Sequence, residues 1–103
     1  MDIQIIGKHV TITDTIRERI EEKVSGLPKF YSSVLEIEVI VESNKDGALT
    51  SVEIIARAKH NHTFVAKTDG ADIYACVDDV VKKIERQLVK QKQKERDNKH
   101  GTM

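Results

Sequence analysis

Tryptophan is absent, and phenylalanine and tyrosine together make up 4% of the 103 residues. A protein that holds single-stranded nucleic acid by stacking successive bases needs a row of aromatic rings, so no base-stacking platform is expected. Cysteine occurs once, at Cys76. That excludes an intrachain disulfide and fits a reducing compartment. No apolar run approaches the roughly 20 residues that a membrane-spanning helix needs. The opening Met-Asp-Ile-Gln-Ile-Ile-Gly lacks the charged start and long apolar centre of a secretory signal. A soluble, cytoplasmic protein with no membrane partner is expected. With a single proline, 39% hydrophobic and 33% charged residues, the composition is globular. The length suits one small domain.

Net charge is also lacking, since 17 Lys and Arg balance 17 Asp and Glu. The balance hides an asymmetry. Lys82 to Lys99 holds eight basic residues against three acids, a net of +5, so the remainder carries −5. A basic segment on a mildly acidic body suggests a polyanionic partner.

That segment lies in one long helix expected over Asp72 to Lys99. Ile73, Val77, Val80, Val81, Ile84 and Leu88 recur at three- and four-residue steps and line one face. Lys82, Lys83, Arg86, Lys90 and Lys94 fall on the opposite side. The apolar stripe stops at Leu88 while the basic residues continue, so positive charge extends beyond what packing explains.

The rest of the chain reads in order as follows. Ile3 to Ile6 is a β-branched strand ended by Gly7. Thr13 is an N-cap with Asp14 in the first turn, and Ile16, Ile20, Val24 and Leu27 mark a helical face stopped by Pro28. Phe30 and Tyr31 plug the end of the core. Val34 to Glu42 alternates, with Leu35, Ile37, Val39 and Val41 inward and Glu36, Glu38 and Glu42 outward. Asn44 to Gly47 is turn chemistry. Leu49 to Lys59 follows with Val52, Ile54, Ala56 and Ala58 inward. His60-Asn61 turns the chain into a strand from His62 to Thr68 with Phe64 and Ala66 inward. The order predicts an α+β fold, β-α-β-β-β-α. It has a four-stranded mixed sheet, parallel between its first two strands and antiparallel elsewhere. Both helices pack on one face, leaving a largely polar face open. Residues 1–95 are expected to form the domain and 96–103 a frayed tail.

Catalytic chemistry finds no support. There is no phosphate-binding glycine loop and no nucleophile elbow. Cys76 sits inside an amphipathic helix with no histidine near it in sequence, which argues against a nucleophile. His60 and His62 form His-x-His across a turn, but no second ligand pair stands at a metal-site spacing, and His9 and His100 have no such neighbour. No enzyme, cofactor, metal or small-molecule substrate is expected. Asp72 and Asp78 near a helix start are explained by the helix dipole. Tyr74 is expected to pack its ring on the sheet edge, with its hydroxyl on a polar partner. A single lysine on a helix is usually there for solubility. The cluster differs, because acids are scarce between Lys82 and Lys94, and it reads as a phosphate-binding face. Nothing in it reads base sequence.

Several residues at this spacing resemble the ribosome hibernation promoting factors, also called the sigma-54 modulation or ribosome-associated inhibitor family. They are Ile5, Gly7, Val10, Ile12-Thr13, Arg17 and Lys23. With them stand Asp72-Ile-Tyr74-Ala75, Asp78 and Lys83-Ile-Glu-Arg86-Gln87-Leu88-Val-Lys90. The resemblance covers nearly the whole chain and is to the short form. Cys76 stands where the family often has alanine, and Lys82 where an acid is frequent. The resemblance implies a domain bound to the small ribosomal subunit, in the channel for messenger and transfer RNA beside the decoding region of 16S ribosomal RNA. There it holds idle ribosomes inactive in stationary phase or stress. A ribosome modulation factor acting in ribosome dimerisation is an implied further partner. Arg17 and Lys23 enter the RNA-binding set through the resemblance, although neighbouring Glu18, Glu21 and Glu22 offer ordinary helix pairing. Lys29 extends the basic rim or serves only to solubilise its loop. The expected RNA-binding set is Arg17, Lys23, Lys29, Lys82, Lys83, Arg86, Lys90 and Lys94. Two other readings stay open: a protein–protein module that regulates a transcription factor through Glu36, Glu38 and Glu42, and a general structured-RNA binder.

Overall fold

The computed structural model describes residues 1–101, with side chains as far as Asp97. Its elements are β1 (Asp2–Lys8), α1 (Asp14–Val24), a 3-10 helix (Leu27–Lys29), β2 (Val34–Ser43), β3 (Thr50–Ala58), a second 3-10 helix (Lys59–Asn61), β4 (Thr63–Gly70) and α2 (Ile73–Gly101). The sheet order is β1-β2-β3-β4, with β1 parallel to β2 and the other pairs antiparallel. This is the expected α+β architecture. The tail expected over 96–103 falls largely outside the described side chains, and Thr102 and Met103 lie outside the described residues altogether.

The sheet's inner face presents Ile37, Val39, Val41, Val52, Ile54, Ala56, Ala58, Phe64 and Ala66 to Ile20 and Val24 of α1 and to Cys76, Val77, Val80, Val81, Ile84 and Leu88 of α2. All of these are buried, and among the described residues no charged or polar residue is buried with them. The core is aliphatic because the two periodicities agree: steps of two along the strands meet steps of three and four along the helices.

Four details depart from the expected pattern. Gly7 does not end β1 but pairs with Val41 inside it. A Cβ there would stand 2.7 Å from the Val10 carbonyl oxygen and 2.9 Å from the Ile12 side chain, so only glycine lets the following loop fold back this closely. Helix α1 stops at Val24, before Pro28, and the chain continues as a 3-10 helix. Pro28 has no N–H for the Val24 carbonyl, whereas Lys29 and Phe30 donate to Gly26 and Leu27, three residues back. Leu35 does not face the core. The β2–β3 register shifts between Val34 and Glu36, so Val34 is buried and Leu35 is 51% exposed, as an extra strand residue at a β-bulge would be. The open sheet face is not uniformly polar. Ile6 pairs with Ile40, and Ile55 with Val65, so aliphatic side chains lie among its charges.

The remaining turns follow their residues. Thr13 Oγ1 accepts from the Ile16 N–H at 3.2 Å, as an N-cap should. Asn44 Oδ1 accepts from the Leu49 N–H, and Gly47 takes φ +71° in the β2–β3 turn. His60 and Asn61 both adopt positive φ in the β3–β4 turn. Asp72 Oδ1 accepts from the Tyr74 N–H at 3.0 Å and starts α2. Tyr74 itself is 39% exposed, and its hydroxyl makes no hydrogen bond among the described residues.

Helix α2 is tied to β4 by polar contacts as well as by the core. Lys83 Nζ donates to the Lys67 carbonyl at 3.0 Å and Gln87 Nε2 to the Val65 carbonyl at 2.9 Å. One turn earlier, the Thr68 hydroxyl donates to Asp79 at 2.7 Å, and Lys83 lies 3.3 Å from the same carboxylate. The Thr68 hydrogen bond, then Lys83, hold the Asp79 carboxyl below its usual range. Because the folded-state pKa is depressed, this stabilisation is present above about pH 4 and is lost as pH falls through the folded value. Thr68→Val should flatten the acid limb of a melting-temperature-against-pH profile, while leaving the plateau near pH 7 lower. Ile84 is fully buried, and Ile84→Ala should cost about 2–5 kcal/mol in denaturant titrations. Burial, followed by the charges of Asp72, Asp69 and Asp79, pushes the Cys76 thiol up. Native Cys76 should therefore react with an aromatic disulfide reagent far more slowly than the same thiol in guanidinium.

Candidate nucleic-acid interface

Docking of α2 through Val77, Val80, Val81, Ile84 and Leu88 decides where its cations point. Lys82, Arg86, Lys90 and Lys94 are exposed, and none forms an ion pair among the described residues. At 1.5 Å per residue, Lys82 to Lys94 spans roughly 18 Å of helix axis. Lys92 and Arg96, which the expected site omitted, are exposed too; each lies about 200° around the helix from Lys90 or Lys94, so they add positive charge to the segment on another face. Their signal was the same scarcity of acids that marked the others.

The helix does not leave the body at Leu88. Gln91 Nε2 lies 3.5 Å from His62 Nε2, and the buried Tyr31 donates its hydroxyl to Glu95 Oε1 at 2.8 Å. Burial first, then the Glu95 carboxylate, push the Tyr31 pKa up. The basic stretch is therefore held against the fold for two turns beyond the last buried leucine. Sequence reasoning missed this clamp because Tyr31 and Glu95 are 64 residues apart and the pairing has no local pattern.

The other expected residues divide. Lys83 is half-buried and already satisfied by Asp79 and the Lys67 carbonyl, so it braces α2 on β4. Lys23 is half-buried with Nζ 3.9 Å from Asp78 Oδ1. Arg19, absent from the expected set, donates through Nη2 to both Asp78 oxygens, at 3.3 and 3.1 Å. Asp78 thus joins the two helices and is more than a residue favoured by the dipole. Arg17 is exposed and unpaired among the described residues. It lies about 200° around α1 from Arg19 and so stands apart from the α2 row. Lys29 is exposed in the first 3-10 helix.

Between the two helices runs a cleft. One part is lined by Lys23, Asp78, Val81, Lys82 and Glu85. The next, a hollow of about 310 Å³, is lined by Phe30, Glu85, Arg86, Val89, Lys90 and Gln93. Among the described residues, no group of three or more His, Cys, Asp or Glu is arranged to hold a metal, and no helix is long and apolar enough to cross a membrane. What the arrangement can do is present exposed guanidinium and ammonium groups to an anionic polymer.

Arg19 and Asp78 are each 38% exposed, so their ion pair is solvent-screened. Asp78→Asn should lower stability by roughly 0.5–1 kcal/mol. It should also free Lys23 and Arg19, raising rather than lowering affinity for a polyanion in a low-salt titration.

Residues 3–96 match the family described as Sigma 54 modulation protein / S30EA ribosomal protein. The chain is 29% identical to the ribosome hibernation promoting factor of Azotobacter vinelandii, covering 98% of this chain and 92% of that protein. It is 28% identical to that of Escherichia coli K12, covering 91% and 96%. Among solved structures, a ribosomal subunit interface protein from Coxiella burnetii superposes with TM-score 0.81 at 29% identity over 90% of this chain and 99% of that one. The N-terminal domain of Thermus thermophilus Protein Y gives 0.77 at 26% identity over 87% and 98%. With residues 3–96 of the 103 matched to the family and the fold shared, the chain belongs to the Sigma 54 modulation protein / S30EA ribosomal protein family.

Proposed function

We propose that this protein is a ribosome hibernation factor whose α2 cation row binds 16S ribosomal RNA phosphates in the messenger and transfer RNA channel of the small subunit. The observation that carries the reading is the row itself. Lys82, Arg86, Lys90 and Lys94 are exposed without a carboxylate partner among the described residues, and Lys29 is exposed one residue before Phe30, which lines the cleft. The names of the relatives supply the ribosome as target. A rigid wedge in that channel excludes messenger and transfer RNA by overlap, so inhibition needs occupancy and no bond chemistry. Idle ribosomes of stationary or stressed cells, with the channel empty, are the natural target. A ribosome modulation factor that pairs ribosomes is a further proposed partner by family likeness alone.

Each phosphate neutralised releases condensed counterions, so affinity falls with salt. If about five to six cations engage, the log–log slope should be on the order of −5. Lys82→Gln, Arg86→Gln and Lys90→Gln combined should reduce that slope by about 2 to 3 and abolish co-sedimentation with small subunits at physiological salt. Lys83→Gln should leave the slope nearly unchanged and act on melting temperature instead. An unchanged affinity in the triple variant would remove this face as the contact.

A protein–protein module is the second reading, and the open sheet face favours it. Asp2, Glu36, Glu38, Glu42, Glu53 and Asp69 lie there against Lys8, Arg57 and Lys67, around Ile6, Ile40, Ile55 and Val65. Arg57 is already engaged by Glu36 and Glu38. Glu38→Gln with Glu53→Gln separates the readings, since it should spare binding to isolated small subunits and weaken binding to a basic protein.

A further inference from the structure

We propose that the hollow lined by Phe30 and Val89 takes one unstacked nucleobase of single-stranded RNA, while Arg86 and Lys90 hold the flanking phosphates. This rests on the RNA-binding reading and adds a subsite to it. Two neighbouring rings part company at the end of the first 3-10 helix. Tyr31 turns inward, is 3% exposed and bonds Glu95. Phe30 stays half-buried, packs one side against the core and gives the other to the cleft. A ring held there against water gains more from a planar partner than from solvent.

The walls fit such a partner. Phe30 and Val89 form facing apolar walls of a shallow, open hollow of about 310 Å³, room for one flat ring lying against Phe30. Arg86 and Lys90 stand on the rim, exposed and unpaired among the described residues. They suit phosphates on either side of a base, and Arg86 can also lie against the base plane. Gln93 both donates and accepts, and Glu85 accepts, so the base's polar edge meets matching groups. The Glu85 carboxylate repels phosphate from its own rim and so orients the backbone toward Arg86 and Lys90. Duplex RNA cannot enter, because its bases stay stacked; a splayed base in a loop or bulge can. One ring makes a single subsite, which is compatible with a chain too poor in aromatics for a platform.

The experiment measures binding of the full chain to purified small ribosomal subunits across a salt series, for the wild type, Phe30→Leu, Phe30→Tyr and Val89→Gln, with melting curves for each. Phe30→Leu keeps an apolar side chain of similar size and removes the ring. It should weaken binding on the order of tenfold with the salt slope unchanged. Phe30→Tyr should stay within about twofold of wild type, because it retains the ring. Val89→Gln, which intrudes from the opposite wall, should reproduce the loss without touching Phe30. Chemical probing of the bound RNA should find one unpaired base protected by the wild type and reactive with Phe30→Leu. Wild-type affinity in both folded variants, Phe30→Leu and Val89→Gln, overturns the base subsite and leaves the phosphate row standing. Absence of salt-dependent binding by the wild type overturns both.

Discussion

The seating of α2 on the sheet is the constraint from which the other features follow. Val77, Val80, Val81, Ile84 and Leu88 are all buried, and rotating the helix by one residue would bring most of them out of the core. At roughly 1.5–3 kcal/mol for each fully buried aliphatic side chain, no surface ion pair can compete with that register. The register then assigns the cations. Lys83 and Gln87 are turned to the β4 carbonyls, whereas Lys82, Arg86 and Lys90 are left outside. Which lysines are available to a partner is settled by aliphatic packing and not by their own charge.

Electrostatically the molecule is two-sided while its total is zero. The helical side carries the long basic row, and the open sheet face has six acids against three bases. Such a dipolar body approaching a polyanion is turned by the field before contact, with α2 leading. Asp78 and Asp79 sit at the end of α2 away from the tail and consume Arg19, Lys23 and Lys83 in internal contacts. The unpaired cations are thereby concentrated in the later turns of the helix.

Much of this was legible in the sequence because it is written in short-range periodicity. The alternation of Ile37, Val39 and Val41 and of Val52, Ile54 and Ala56, the Thr13 cap, and the three- and four-step stripe of α2 all needed only neighbours. Leu35 was misassigned because a β-bulge breaks the two-residue period without any residue type that marks it. The i,i+4 pair of Asp79 with Lys83 is local and legible in the sequence, whereas the pairing of Lys23 with Asp78 and the Lys83 contact with the Lys67 carbonyl join different elements and leave no local pattern. Arg19 escaped notice for the same reason. The Tyr31–Glu95 clamp and the Phe30 hollow depend on the chain closing on itself, which no local pattern encodes.

The contacts from α2 to β4 carry a consequence for assembly. An outermost strand normally presents free carbonyls on which another chain can build a further strand. In β4 two of these carbonyls, at Val65 and Lys67, are already occupied by Gln87 and Lys83. The side chains that brace the helix therefore also obstruct that margin to β-augmentation, and a crowded population of this protein cannot lengthen its sheet through β4 at these carbonyls without first displacing Lys83 and Gln87.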